Sequence, residues 1–141
     1  MSQPIKGSCL CQAVKYQFHG PGYAFQYCHC SRCRKFTGSA HGSNIIIDPK
    51  NFEWLSGEDM VGRFEHPEAK HFATCFCRNC GSSLPWMSQS GISVVIPAGT
   101  LDEDPGIRPT QNIFWKSRAP WREEVSALPH YDELPPRKDK S

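Results

Sequence analysis

The segment Cys28-His29-Cys30-Ser31-Arg32-Cys33 sets three thiols in the pattern C-x-C-x-x-C. A hydrophobic core has no use for thiols packed so densely in a polar, turn-like stretch. A soft divalent metal does, because several thiolates must converge to within about 2.3 Å of the ion. Two further groups echo the first. Cys9 and Cys11 form a C-x-C, and Cys75, Cys77 and Cys80 repeat the C-x-C-x-x-C spacing. The eight cysteines of the chain all fall in these three groups, so the remaining sequence reads as the scaffold that gathers them.

That scaffold is lean. The 141 residues match one domain of ordinary size, and a single zinc-binding domain over 1–141 is expected, with its core at about 7–136 and a mobile tail at 137–141. Hydrophobic residues make up 38% and the mean hydropathy is −0.53, so metal cross-links would help a modest core. A net charge of +2 and a pI of about 8.1 are too mild for a nucleic-acid partner, which wants a concentrated basic stripe. No apolar run approaches the roughly 20 residues of a membrane span. No export signal precedes Gly7, so a cytoplasmic location with reduced thiols is expected. A disulfide framework is the weaker reading, because C-x-C neighbours are poorly placed to pair.

Around the cysteines, periodicity points to short strands. Val14, Tyr16 and Phe18 alternate with polar residues, the mark of a half-buried strand. Residues 24–27, 43–47, 61–64, 71–74, 92–96 and 113–115 are further strand candidates, with 61–64 and 71–74 forming a hairpin. Residues 31–36 read as a helical turn stopped by Gly38, and residues 1–6 as a loose start. Short strands punctuated by Gly and Pro, without long helical periodicity, indicate an all-β domain of antiparallel strands with few helical turns.

Eight thiols divide in two ways. One division makes two closed four-thiolate sites. The other makes one closed site from Cys9, Cys11, Cys77 and Cys80, leaves Cys28, Cys30 and Cys33 as a three-thiolate site, and spares Cys75. Spacing alone does not choose between them. In the second division Cys75 is a small buried hydrophobe on a strand, or else a fourth ligand that closes the second site.

The motifs Gly7-Ser8-Cys9-Leu10-Cys11, Cys28-His29-Cys30-Ser31-Arg32-Cys33-Arg34-Lys35 and Phe76-Cys77-Arg78-Asn79-Cys80-Gly81-Ser82 together resemble the glutathione-dependent formaldehyde-activating enzyme family, which includes centromere protein V. Residues 98–102 and 116–121 look like its later, weaker motifs. The resemblance implies a small zinc-bearing β architecture, often called a β-tent. It implies a structural zinc on Cys9, Cys11, Cys77 and Cys80 and a catalytic-type zinc on Cys28, Cys30 and Cys33, two zinc ions per chain. It also implies carbon–sulfur lyase chemistry, in which the thiol of glutathione adds reversibly to formaldehyde.

Glutathione carries two carboxylates, and Arg32, Arg34 and Lys35 beside Cys33 are the expected contacts for a small-molecule thiol. The bland alternative for these cations is a solvated surface, or compensation of thiolate charge. His29 is a weak candidate as a proton carrier. His66, His71 and His130 lie in no motif, and Trp54, Trp86, Trp115 and Trp121 read as core. The competing functional reading is a non-catalytic zinc module for protein interaction, as in centromere protein V. The long basic, Pro-rich extension of that protein has no counterpart before Gly7.

Overall fold

The computed structural model describes residues 3–123 and 125–137. Most of the expected tail, 138–141, and the first two residues of the expected loose start lie outside that range. The fold is mainly β, with 34% strand and 16% helical residues.

Three sheets share the work. The first has the order β1-β2-β5, built from β1 (Ile5–Ser8), β2 (Lys15–Phe18) and β5 (Phe52–Ser56). The second joins β3 (Ala24–Cys28), β4 (Gly42–Ile47), β9 (Trp86–Met87), β10 (Val94–Pro97) and β11 (Gln111–Ile113) in the order β11-β3-β4-β10-β9. The third is β6 (Val61–Glu65), β7 (Ala73–Cys77) and β8 (Ser83–Leu84) in sequence order. The α-helix α1 (Ser31–Thr37) follows β3 directly and ends at Gly38, whose φ of 65° supplies the left-handed stop.

The alternation in β2 works as the sequence indicates. Val14, Tyr16 and Phe18 are all buried, and Tyr16 packs on Phe52 and Trp54 at ring distances of 5.7 and 6.4 Å. Gly7 lies opposite Tyr16, and a Cβ there would sit 2.3 Å from the Tyr16 ring, so only glycine fits. Val14 belongs to the apolar cluster that surrounds Cys9, Cys75, Cys77 and Leu84. Tyr16 and Phe18 belong to a second one, with Ile45, Ile47, Val94 and Ile96.

The structure differs from the sequence reading at several places. Ile5 and Lys6 are part of β1 and not a loose start, because they pair with Phe18 and Gln17. The strand expected at 92–96 begins at Val94, and Ile92 is exposed. The strand expected at 113–115 ends at Ile113. Phe114 turns into the left-handed region at φ 54°, and Trp115–Ser117 form a 3-10 turn. The pairing of β11 with β3 is parallel, whereas the other strand pairs are antiparallel.

Candidate metal centres and the adjoining cavity

The loop after β1 turns back sharply. Gln12 adopts φ 70°, Gln12 N donates to Cys9 O, and Cys9 N donates to Val14 O. This bend brings Cys9 and Cys11 against the end of β7, where Cys77 leads into a knuckle closed by Gly81 N donating to Cys77 O. The sulfurs of Cys9, Cys11, Cys77 and Cys80 lie within 4.8 Å of one another. Cys9 Sγ is 3.6 Å from Cys11 Sγ, which is 3.8 Å from Cys77 Sγ. Four thiolates at tetrahedral corners around an ion at about 2.3 Å would be about 3.8 Å apart, so the donor set fits a metal. These separations are far longer than a disulfide bond, and all eight cysteines are free.

Polar hydrogens support this first group. Val14 N and Asn79 N donate to the sulfurs of Cys9 and Cys77 at 3.3 and 3.4 Å. The Ser82 hydroxyl and backbone hold the Cys80 thiol down to about 5. The Asn79 side chain and the Ala13 backbone lower Cys11 in the same way. Hydrogen bonding of this kind favours the charged form, which is the metal-binding form.

The second group sits where β3 passes into α1. Cys28 ends the strand, Cys30 caps the helix, and Cys33 lies one turn in. Their sulfurs also lie within 4.8 Å of one another, with Cys28 and Cys30 at 3.4 Å. Cys30 Sγ accepts from Cys33 N at 3.3 Å, and Asn44 Nδ2 donates to Cys33 Sγ at 3.7 Å. Hydrogen bonds from the Cys28 and Cys33 thiols hold Cys30 far below the usual thiol range, at about 2. The same sharing pushes the Cys33 and Cys28 thiols up. Three sulfur donors gathered this closely suit a soft metal.

Among the described residues no fourth His, Cys, Asp or Glu gathers with this second group. Cys75 belongs to neither group. It is buried on β7, its thiol pushed up by burial, with Arg63 Nη1 3.9 Å from its sulfur. His29 points away from the cysteines it separates. It is buried, with Nε2 2.9 Å from Asn112 Oδ1 and its ring edge-on to Trp115 at 4.9 Å. Arg118 and Arg122 lie over the same Trp115 ring at 4.8 and 4.3 Å. Trp115 thus contacts the cysteine loop through the edge of His29, while Arg118 and Arg122 hold the Trp115 ring by cation–π contacts.

A cavity of about 670 Å³ opens onto the second group, with Cys28, Cys30 and Cys33 in its lining. Ile46, Phe72, Trp86, Val95 and Phe114 supply apolar walls. Of the three cations expected beside Cys33, Arg32 lines this cavity. Lys35 shares with Arg32 an adjoining groove of about 380 Å³, and Arg34 lines neither. The sequence reading missed Asn44, Lys70, His71 and Phe114 as parts of this site. It also placed Trp86 in the core alone, whereas Trp86 is both buried and on the cavity wall. These residues come from strands and loops far from the cysteine motif, and no local spacing marks them.

No helix is long and apolar enough to cross a membrane among the described residues. The chain is similar to a crystal structure of a Rhodobacter sphaeroides protein, with a TM-score of 0.57 and 19% identity over 76% of this chain and 98% of that one. That likeness concerns the fold. It is also 27% identical to a putative glutathione-dependent formaldehyde-activating enzyme from Halomonas elongata, over 71% of this chain and 67% of the relative. The family model described as glutathione-dependent formaldehyde-activating enzyme matches residues 4–117, which span β1 to the turn after β11 and contain both cysteine groups. The chain therefore belongs to the glutathione-dependent formaldehyde-activating enzyme family.

Proposed function

We propose that this protein is a zinc enzyme of the carbon–sulfur lyase type, which reversibly joins a thiol such as glutathione to a small aldehyde such as formaldehyde. One observation carries the reading: a group of three thiols, not four, faces a cavity large enough for a tripeptide-sized ligand. A structural zinc is assigned to Cys9, Cys11, Cys77 and Cys80, and a second zinc to Cys28, Cys30 and Cys33 within a single zinc-binding domain. Eight unpaired thiols suit work in a reducing compartment such as the cytoplasm.

In the addition, the S–H bond and the C=O π bond break, a C–S bond forms, and the proton passes from sulfur to the new hydroxyl oxygen. Zinc bound at the three-thiol group would supply an electrophilic centre able to lower a thiol pKa or polarise a carbonyl oxygen. The chain's own residues do the rest. Cys33 N–H and the Asn44 amide fix the directions of the Cys30 and Cys33 sulfurs. Ile46, Trp86 and Val95 exclude water from one side of the site. Arg32 is assigned to a ligand carboxylate; Lys35 faces the neighbouring groove, and Arg34 is left to balance the charge of the thiolates.

The test is the rate of hemithioacetal formation from glutathione and formaldehyde with zinc-loaded protein, followed by NMR. Formation should outpace the uncatalysed mixture. Cys30→Ser should remain folded, lose one zinc equivalent and lose the acceleration. A rate equal to the uncatalysed one removes this reading for the pair and leaves the zinc-binding interaction module.

A further inference from the structure

The cavity over Cys28, Cys30 and Cys33 is lopsided in charge. Arg32 and Lys70 line it, His71 lies beside them, and no Asp or Glu is among the lining residues. The chain as a whole carries only +2, so this bias is local. Neither Arg32 nor Lys70 takes part in an ion pair among the described residues, where the pairs are Lys50–Asp48, Arg63–Glu65 and Arg108–Asp104. Arg32 comes from α1, whereas Lys70 comes from the loop between β6 and β7. Two cations on separate elements can hold two separate anionic groups of one ligand.

The side chain of Gln89 bridges both ends of the loop that carries Lys70. Gln89 Nε2 donates to His66 O at 3.0 Å and to Phe72 O at 2.6 Å, at either end of the loop. Gln89 N donates to His71 O at 2.8 Å, and His71 Nδ1 is 2.7 Å from Ser90 Oγ. Ala69 N closes a turn onto His66 O at 3.1 Å. A loop held at both ends loses little further freedom when a ligand arrives, which is what a selective contact requires.

We infer that Lys70 is a specificity-determining residue for carboxylate-bearing thiols at this cavity, and that Gln89 is the positioning residue that sets it there. The inference rests on the proposed thiol-handling function and adds the residue that distinguishes one thiol from another. Arg32 takes one carboxylate and Lys70 takes a second. Arg32 is half-buried and Lys70 exposed, so the apolar walls strengthen the contact to Arg32, while Lys70 acts as a solvated charge at the rim. A thiol without carboxylates gains nothing from either cation.

Calorimetric titration of the zinc-loaded protein with glutathione, 3-mercaptopropionate and 2-mercaptoethanol tests this. These probes carry two, one and no carboxylates. Lys70→Ala should weaken glutathione about tenfold, as loss of one charge-assisted hydrogen bond does, and leave 2-mercaptoethanol within about twofold. Lys70→Arg should restore most of the glutathione affinity. Gln89→Ala should reduce the preference for glutathione over 2-mercaptoethanol, a ratio that general destabilisation would not move. An unchanged glutathione affinity in Lys70→Ala, or an equal loss for all three thiols, overturns the inference while leaving the proposed function in place. Failure of every thiol to bind the wild-type protein overturns both.

Discussion

Tyr16 is fully enclosed, and its hydroxyl lies 2.6 Å from Thr100 Oγ1. Burial favours the neutral phenol and raises its pKa well above the usual tyrosine range. A folded-state pKa above the unfolded value of about 10 leaves stability intact below pH 10 and removes it as pH rises further. Urea unfolding measured against pH should lose about 1.4 kcal/mol per pH unit from this one group above about pH 10. Tyr16→Phe should be less stable at neutral pH, having lost the hydrogen bond, and its alkaline slope should be shallower by one proton. Identical slopes for the two proteins would mean that Tyr16 ionises as freely in the folded state as in the unfolded one. Cys75 makes a different point at this scale. It shares a motif with Cys77 and Cys80 and, as i and i+2 on β7, lies on the same face as Cys77, but it sits opposite Arg63 and Leu84, two residues back along the strand, and gathers with neither thiol group. Spacing brought it under suspicion as a ligand; the extended rise of the strand, about 3.3 Å per residue, holds it back from the group that Cys77 joins.

Elements meet at positions where only one residue type fits. Gly57 starts the turn after β5 with φ 77°, and a Cβ there would lie 2.0 Å from Ala13 O. Gly57→Ala combines a left-handed backbone penalty with a backbone clash. It should cost more than about 2 kcal/mol, visible as a clear drop in Tm. An unchanged Tm would show that this turn relaxes without cost. The helix α1 and strands β2 to β4 were legible in the sequence because capping, alternation and β-branched runs are local signals. The end of β11 was not. Ile113, Phe114 and Trp115 look alike in apolarity, but Phe114 reverses the chain at φ 54° so that Trp115 reaches His29. The second cysteine group was legible for the same local reason, since one C-x-C-x-x-C loop supplies all three thiols; the first joins two distant segments, and spacing alone left that grouping open. The cavity walls were hidden, because Asn44, Lys70, Trp86 and Phe114 converge from elements that no spacing rule connects.

At the scale of the molecule, the first thiol group brings the segment after β1 against the end of β7, and the zinc proposed there would fasten the two. Ser82 Oγ accepts from Leu10 N at 2.9 Å across the same junction. A structural zinc contributes on the order of 10 kcal/mol, comparable with the whole stability of a domain. Cys77→Ser should therefore give molten or insoluble protein by circular dichroism and zinc analysis. A folded Cys77→Ser protein with unchanged zinc content would break the structural assignment. The second group uses one continuous loop and joins no distant segments, so its loss should spare the fold. The central claim is that this second site keeps a coordination position for a ligand. Zinc-edge X-ray absorption of the purified protein reads it directly. The account predicts about 3.5 sulfurs per zinc, the mean of a four-thiolate and a three-thiolate site, rising toward four when glutathione is added. Four sulfurs per zinc before any thiol is added, or no change on its addition, would contradict it.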